Sequence, residues 1–134
     1  MSEIRAKANS FAKIWKSLKS SLKAMDSLDS VEVVIAIEET FDVTISDRDA
    51  EAMQTPRSVI NWLLPRVQGH VPNDVARRCL LKLSERDSRT DLLKDIGEPW
   101  SAEQVIAVLR DIIVEETGTK NFTEDSTFKD DILS

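Results

Sequence analysis

Apolar residues in this chain recur at steps of three and four, and no segment alternates at the two-residue period of a half-buried strand for more than a few positions. Over residues 1–25 the run Ile4, Ala8, Phe11, Trp15, Leu18, Leu22 and Met25 forms one seam with lysines on the other faces, which predicts an amphipathic helix. A second helix is expected over 27–41, with Leu28, Val31, Val34, Ile35 and Ile37 apolar and Asp29, Glu32, Glu38 and Glu39 on the wet side. Residues 42–47 read as a short extended link and 49–53 as one helical turn. Pro56 suits the first turn of a helix, where its missing N–H costs nothing. That helix should bury Val59, Ile60 and Trp62 or Leu63, and stop before Pro65. Gln68-Gly69-His70-Val71-Pro72-Asn73 is the strongest linker signal. Further helical pieces are predicted over 74–83 and 90–96, ended by Gly97-Glu98-Pro99. Ser101, with Gln104 three residues on, forms a capping box for a long helix that ends at Gly118 and turns Val105, Ile106, Leu109, Ile112 and Ile113 inward. Residues 119–134 are polar and loop-like, anchored by Phe122 and Phe128. The chain is expected to be all-α.

Composition agrees. With 134 residues there is room for one domain with a real core, and 41% hydrophobic against 31% charged residues is the balance of a folded globular chain. Three glycines, four prolines and no tyrosine argue against a turn-rich sandwich. No apolar run approaches the ~18 residues of a spanning helix, so no membrane span is expected. Cys79 is the single cysteine, which excludes an internal disulfide and fits a reducing, cytoplasmic compartment. The charge is unevenly spread. Residues 1–25 hold Arg5, Lys7, Lys13, Lys16, Lys19 and Lys23 against Glu3, a balance of +5; the chain's net −6 therefore leaves −11 on the rest. Such an acidic body repels nucleic acid and attracts partners that present basic patches.

The chemistry concentrates at Asp26-Ser27-Leu28, where the second helix begins. A serine at a helix start lies among backbone N–H groups without intrahelical partners, at the positive end of the helix dipole. By itself that is an ordinary cap worth ~1 kcal/mol. The tripeptide continues, however, as Asp29-Ser30-Val31-Glu32-Val33-Val34-Ile35-Ala36-Ile37-Glu38-Glu39-Thr40-Phe41, then Ile45-Ser46-Asp47-Arg48-Asp49-Ala50-Glu51, then Gln54-Thr55-Pro56-Arg57-Ser58-Val59-Ile60-Asn61-Trp62-Leu63. In order and without gaps, this resembles the second, third and last helices of acyl carrier proteins of the fatty-acid and polyketide type. The resemblance implies 4′-phosphopantetheine attached to Ser27, flanked by Asp26 and Leu28. It also implies a docking face made by Asp29, Glu32, Glu38 and Glu39. The implied partners are a phosphopantetheinyl transferase and acyl-transferring or condensing enzymes with basic patches.

A second stretch resembles the same family out of order. Residues 101–118 look like its first helix, and Thr123-Glu124-Asp125-Ser126-Thr127-Phe128-Lys129-Asp130-Asp131-Ile132 like the loop that leads into the Ser motif. Three architectures accommodate this: a circular permutation, a domain-swapped dimer and a tandem cut short. Permutation is preferred, because in an antiparallel bundle the end of the last helix lies near the start of the first. It requires Ile106, Leu109 and Ile113 to pack on Val31, Val34 and Ile35 of the same chain. The expected organisation is a basic helix over 1–25, carrier helices over 26–67, a helical linker over 68–99, and a first helix and loop over 100–134 that complete one antiparallel bundle.

The expected function is that of an acyl carrier without catalytic residues of its own. His70, the one histidine, lies in the linker, and the sequence has neither a metal-ligand cluster nor a glycine-rich phosphate loop. The alternative is an unmodified carrier-like interaction module, with the seam of 1–25 packing, making a homodimer or binding a partner. An organelle-targeting segment is a further reading of those residues.

Overall fold

Most helices here begin at a side chain that accepts a free N–H. In the computed structural model, which describes residues 28–93 and 97–133, the helices are α1 (Leu28–Phe41), α2 (Asp47–Ala52), α3 (Pro56–Val67), α4 (Asp74–Asp87) and α5 (Ala102–Thr117). A 3-10 turn (Thr90–Leu92) and a π-turn (Phe128–Ile132) complete the order, and the described residues contain no strand. Ser46, Thr55, Asn73 and Ser101 cap α2 to α5, with full capping boxes at Thr55/Ser58 and Ser101/Gln104. The basic segment 1–25, Asp26, Ser27, residues 94–96 and Ser134 lie outside the described residues.

The capping box at Ser101 and the stop at Gly118, whose φ of 77° is left-handed, are as expected. Other boundaries differ. α3 does not stop before Pro65 but runs through it to Val67. Val59, Ile60, Leu63 and Val67 form one buried stripe, and Pro65 lies on the exposed side, so burial of Val67 carries the helix past the missing hydrogen bond. α4 is one turn longer than expected and ends at Ser88 in the left-handed conformation. Of the helix expected over 90–96, the described part is only the 3-10 turn.

α5 is the hub of the fold. It packs on α1, α3 and α4 of the same chain. Val105, Val108, Leu109, Ile112 and Ile113 are buried in the core that also holds Val31, Val33, Val34 and Ile37. Ile106 and Ile35, expected inside, are only half-buried at its edge. α4 is more than a linker, since it packs on α1 as well as α5 and contributes Leu80 and Leu83 to that core. This second neighbour explains why Val33, on a different face of α1 from Val34, is also buried.

One polar cluster fastens α4 to α5. The carboxylate of Asp111, 4% exposed, accepts from Lys82 Nζ at 2.8 Å and Arg86 Nη1 at 3.1 Å, and faces Cys79 Sγ at 3.5 Å. Gln104, also buried, donates to the Leu92 carbonyl at 3.0 Å and so holds the 3-10 turn.

The directions of the helices follow from their ends. Phe41 and Asp42 at the end of α1, Arg66 and Val67 at the end of α3, and Trp100 just before α5 line one cavity of about 150 Å³. The Phe41 and Trp100 rings lie 4.7 Å apart, and the Trp100 N–H donates to the His70 carbonyl at 2.9 Å. α1 and α3 therefore run the same way and α5 runs against them. At 1.5 Å per residue these helices are ~18–24 Å long, so the starts of α1 and α3 and the end of α5 share the opposite end.

Candidate functional site

The described part of α1 begins at Leu28, the residue after Ser27, and the first N–H groups of any helix lack intrahelical partners. Such donors and the positive end of the helix dipole suit a phosphodiester held at a helix start. Asp26 and Ser27 themselves are outside the described residues, so the site is defined by what surrounds the start of α1.

The docking acids are not equivalent. Glu32 is exposed on α1 and Glu39 is half-buried. Glu38 turns inward, and its Oε2 accepts from the Ile45 N–H at 2.9 Å, closing the link between α1 and α2. Burial raises its carboxyl above the ordinary 4.5; the Ile45 N–H acts the other way, and the charge of Glu39 adds to the rise. The folded chain thus holds this proton to higher pH than the unfolded chain. Its contribution to stability is present below the ordinary value and lost as pH rises through the raised one. Glu38→Gln keeps an acceptor for Ile45 and carries no charge to desolvate, so its melting temperature should vary less than wild type's across mildly acidic pH. A thermal-melt series from acid to neutral pH measures this, and an identical slope in the two chains would discount the burial effect.

The same end of the bundle is fastened by contacts that sequence reasoning did not find. Arg57, in the first turn of α3, makes a two-pronged bond to Asp125 (2.7 and 3.1 Å) across 68 positions, and its N–H donates to the Glu124 carbonyl at 2.8 Å. The Phe128 N–H donates to the Gln54 carbonyl at 2.9 Å. Below them Arg110 stacks 4.3 Å over the Phe122 ring and donates to the Phe122 and Lys120 carbonyls. Nothing local in the sequence marks Arg57 and Asp125 as partners. Asp111 did carry a signal, being an acid among the apolar positions 105, 108, 109, 112 and 113.

Comparison with known proteins identifies the segment. Residues 21–63 match the family model described as a phosphopantetheine attachment site. Over 38 residues, 28% of this chain, the sequence is 53% identical to an acyl carrier protein of Syntrophobacter fumaroxidans. The match spans about half (47%) of that relative's length. No solved structure matches. Residues 21–63 are thus similar to a phosphopantetheine attachment site and, over 38 residues, to an acyl carrier protein. The group such a segment takes is covalent 4′-phosphopantetheine. No helix of the described residues is long and apolar enough to cross a membrane.

Proposed function

We propose that this chain is an acyl carrier, with 4′-phosphopantetheine joined through a phosphodiester to Ser27. It would deliver acyl groups to cytoplasmic enzymes of fatty-acid or polyketide-type synthesis. The observation that carries this is Asp26-Ser27-Leu28 at the start of α1, inside the matched segment 21–63. When bound, the group supplies a flexible arm whose terminal thiol holds an acyl chain as a thioester. The chain's own part would be to present that arm from the head of α1, where helix N–H groups suit a phosphodiester.

After incubation with a phosphopantetheinyl transferase and coenzyme A, intact-mass measurement should show one added arm on wild type and none on Ser27→Ala. A thiol titration gives an independent readout. Burial, and then the Asp111 charge, push the Cys79 thiol up to about 12, so it reacts slowly at neutral pH. A single fast thiol should therefore appear only after modification. An unmodified wild type would leave the chain as a helical interaction module.

We also propose that Glu32 and Glu39, with Asp29 ahead of them, guide basic partners along α1. Glu32→Lys with Glu39→Lys should slow modification at low salt. The difference should shrink as salt rises, since exposed charges more than ~10 Å apart are largely screened at about 0.1 M. Glu38 is left unchanged in this test because of its bond to Ile45. Equal rates at low salt would reduce these acids to a solvated face.

A further inference from the structure

The cavity where the ends of α1 and α3 meet the entry to α5, about 150 Å³ in volume, has no part in the carrier reading. Its floor is apolar. Phe41 and Val67 are 4% and 2% exposed, and the half-buried Trp100 ring tilts against Phe41 at 38°. An apolar cavity of this volume is large enough to hold one benzene ring. Hydrogen bonds pin its walls. The Trp100 N–H donates to the His70 carbonyl, and Asn73 Nδ2 donates to the Glu39 carbonyl at 3.0 Å while its Oδ1 accepts from the Ala76 N–H at 2.8 Å. The linker between α3 and α4 is thus tied both to α1 and to the residue before α5, so the hollow is formed in the free chain.

The mouth carries a cation that is held in place without being neutralised. Arg66 lies 3.9 Å over the Trp62 ring, and its Nη1 donates to the Trp62 carbonyl at 2.9 Å. Ring and carbonyl fix the guanidinium at the edge of the cavity, and among the described residues no carboxylate pairs with it. A guanidinium held this way offers further N–H donors to a carboxylate at a small cost in side-chain freedom. Asp42, exposed at the end of α1, lines the same cavity and disfavours a second negative charge; His70 is the remaining titratable group there.

We propose that this cavity binds a small aromatic monocarboxylate, with the ring on Phe41 and Trp100 and the carboxylate on Arg66. Ring and charge are both required, because each alone meets half of the site.

The full chain, without any modification, tests this with benzoate as the probe. In isotope-labelled protein, benzoate should give saturable amide shifts at 41–42, 66–73 and 100, with half-saturation on the order of 1 mM. Amides of 54–58 and 122–128, at the other end of the bundle, should stay in place. Arg66→Gln should weaken benzoate roughly tenfold, the scale of one charge-assisted hydrogen bond. Asp42→Asn should tighten it about twofold, as expected for relief of one exposed like charge. Both side chains are exposed, so both variants should keep the helical circular dichroism of wild type. Benzyl alcohol, which has the ring without the charge, should bind wild type about as weakly as benzoate binds Arg66→Gln. Acetate, which has the charge without the ring, should give no saturable shift. Benzoate shifts that never saturate, or that spread over the whole chain, would overturn the site. Equal binding of benzoate and benzyl alcohol would overturn the assignment of Arg66, and acetate matching benzoate would leave attraction by charge only and overturn the aromatic floor as the binding element.

Discussion

A chain cut after Val67 is expected to lose its helical circular dichroism. α1, α2 and α3 would remain, but the element that covers them would be gone. Val105, Val108, Leu109, Ile112 and Ile113 of α5 are each at most 6% exposed. At ~1.5–3 kcal/mol per buried side chain their loss amounts to roughly 7–15 kcal/mol, comparable with the ~5–15 kcal/mol that stabilises an ordinary domain. The faces of α1 and α3 left bare would add a tendency to aggregate. A 1–67 fragment that keeps its helical signal and melts cooperatively would show that α1 to α3 suffice, and would remove α5 from the carrier bundle.

The second large effect is expected at Asp111. Lys82→Ala with Arg86→Ala removes both cations from a carboxylate that is 4% exposed. An uncompensated buried charge of this kind costs about 3–5 kcal/mol. Asp111→Asn should cost less, because the side chains of Lys82 and Arg86 are 47% and 49% exposed and regain water when released. Urea melts of the two variants give the order. If Asp111→Asn proved the more damaging, Asp111 would be holding the chain by something other than its two cations.

The sequence carried most of the helical order, because capping residues and apolar spacing are local. Ser101 with Gln104, and Pro56 after Thr55, marked helix starts that the structure reproduces. What misled was a local rule met by a non-local force. Pro65 is a local stop signal, but burial of Val67 against the core outweighs one missing hydrogen bond. The role of α4 is hidden for the same reason, since Leu80 and Leu83 look like one face of a polar connecting helix until α1 and α5 are placed beside them. At the candidate site, Asp26-Ser27-Leu28 is marked by its family resemblance alone, since Asp26 and Ser27 lie outside the described residues. The acids after it were legible only as a set, and the structure separates exposed Glu32 from Glu38, whose carboxylate holds Ile45. Arg57 and Asp125 meet across 68 positions, a pairing that no pattern of spacing encodes.

The place of α5 in the chain also sets a timetable. A ribosome adding ~5–20 residues per second makes α1 and α3 first, then needs about 50 more residues to finish α5, a delay of roughly 3–10 s. During that interval the faces of α1 and α3 that α5 will cover have no partner from their own chain. Nascent chains paused before Ile113 should therefore be open to proteases and chaperones, and those tethered to the ribosome by a long spacer added after Ser134 should resist digestion.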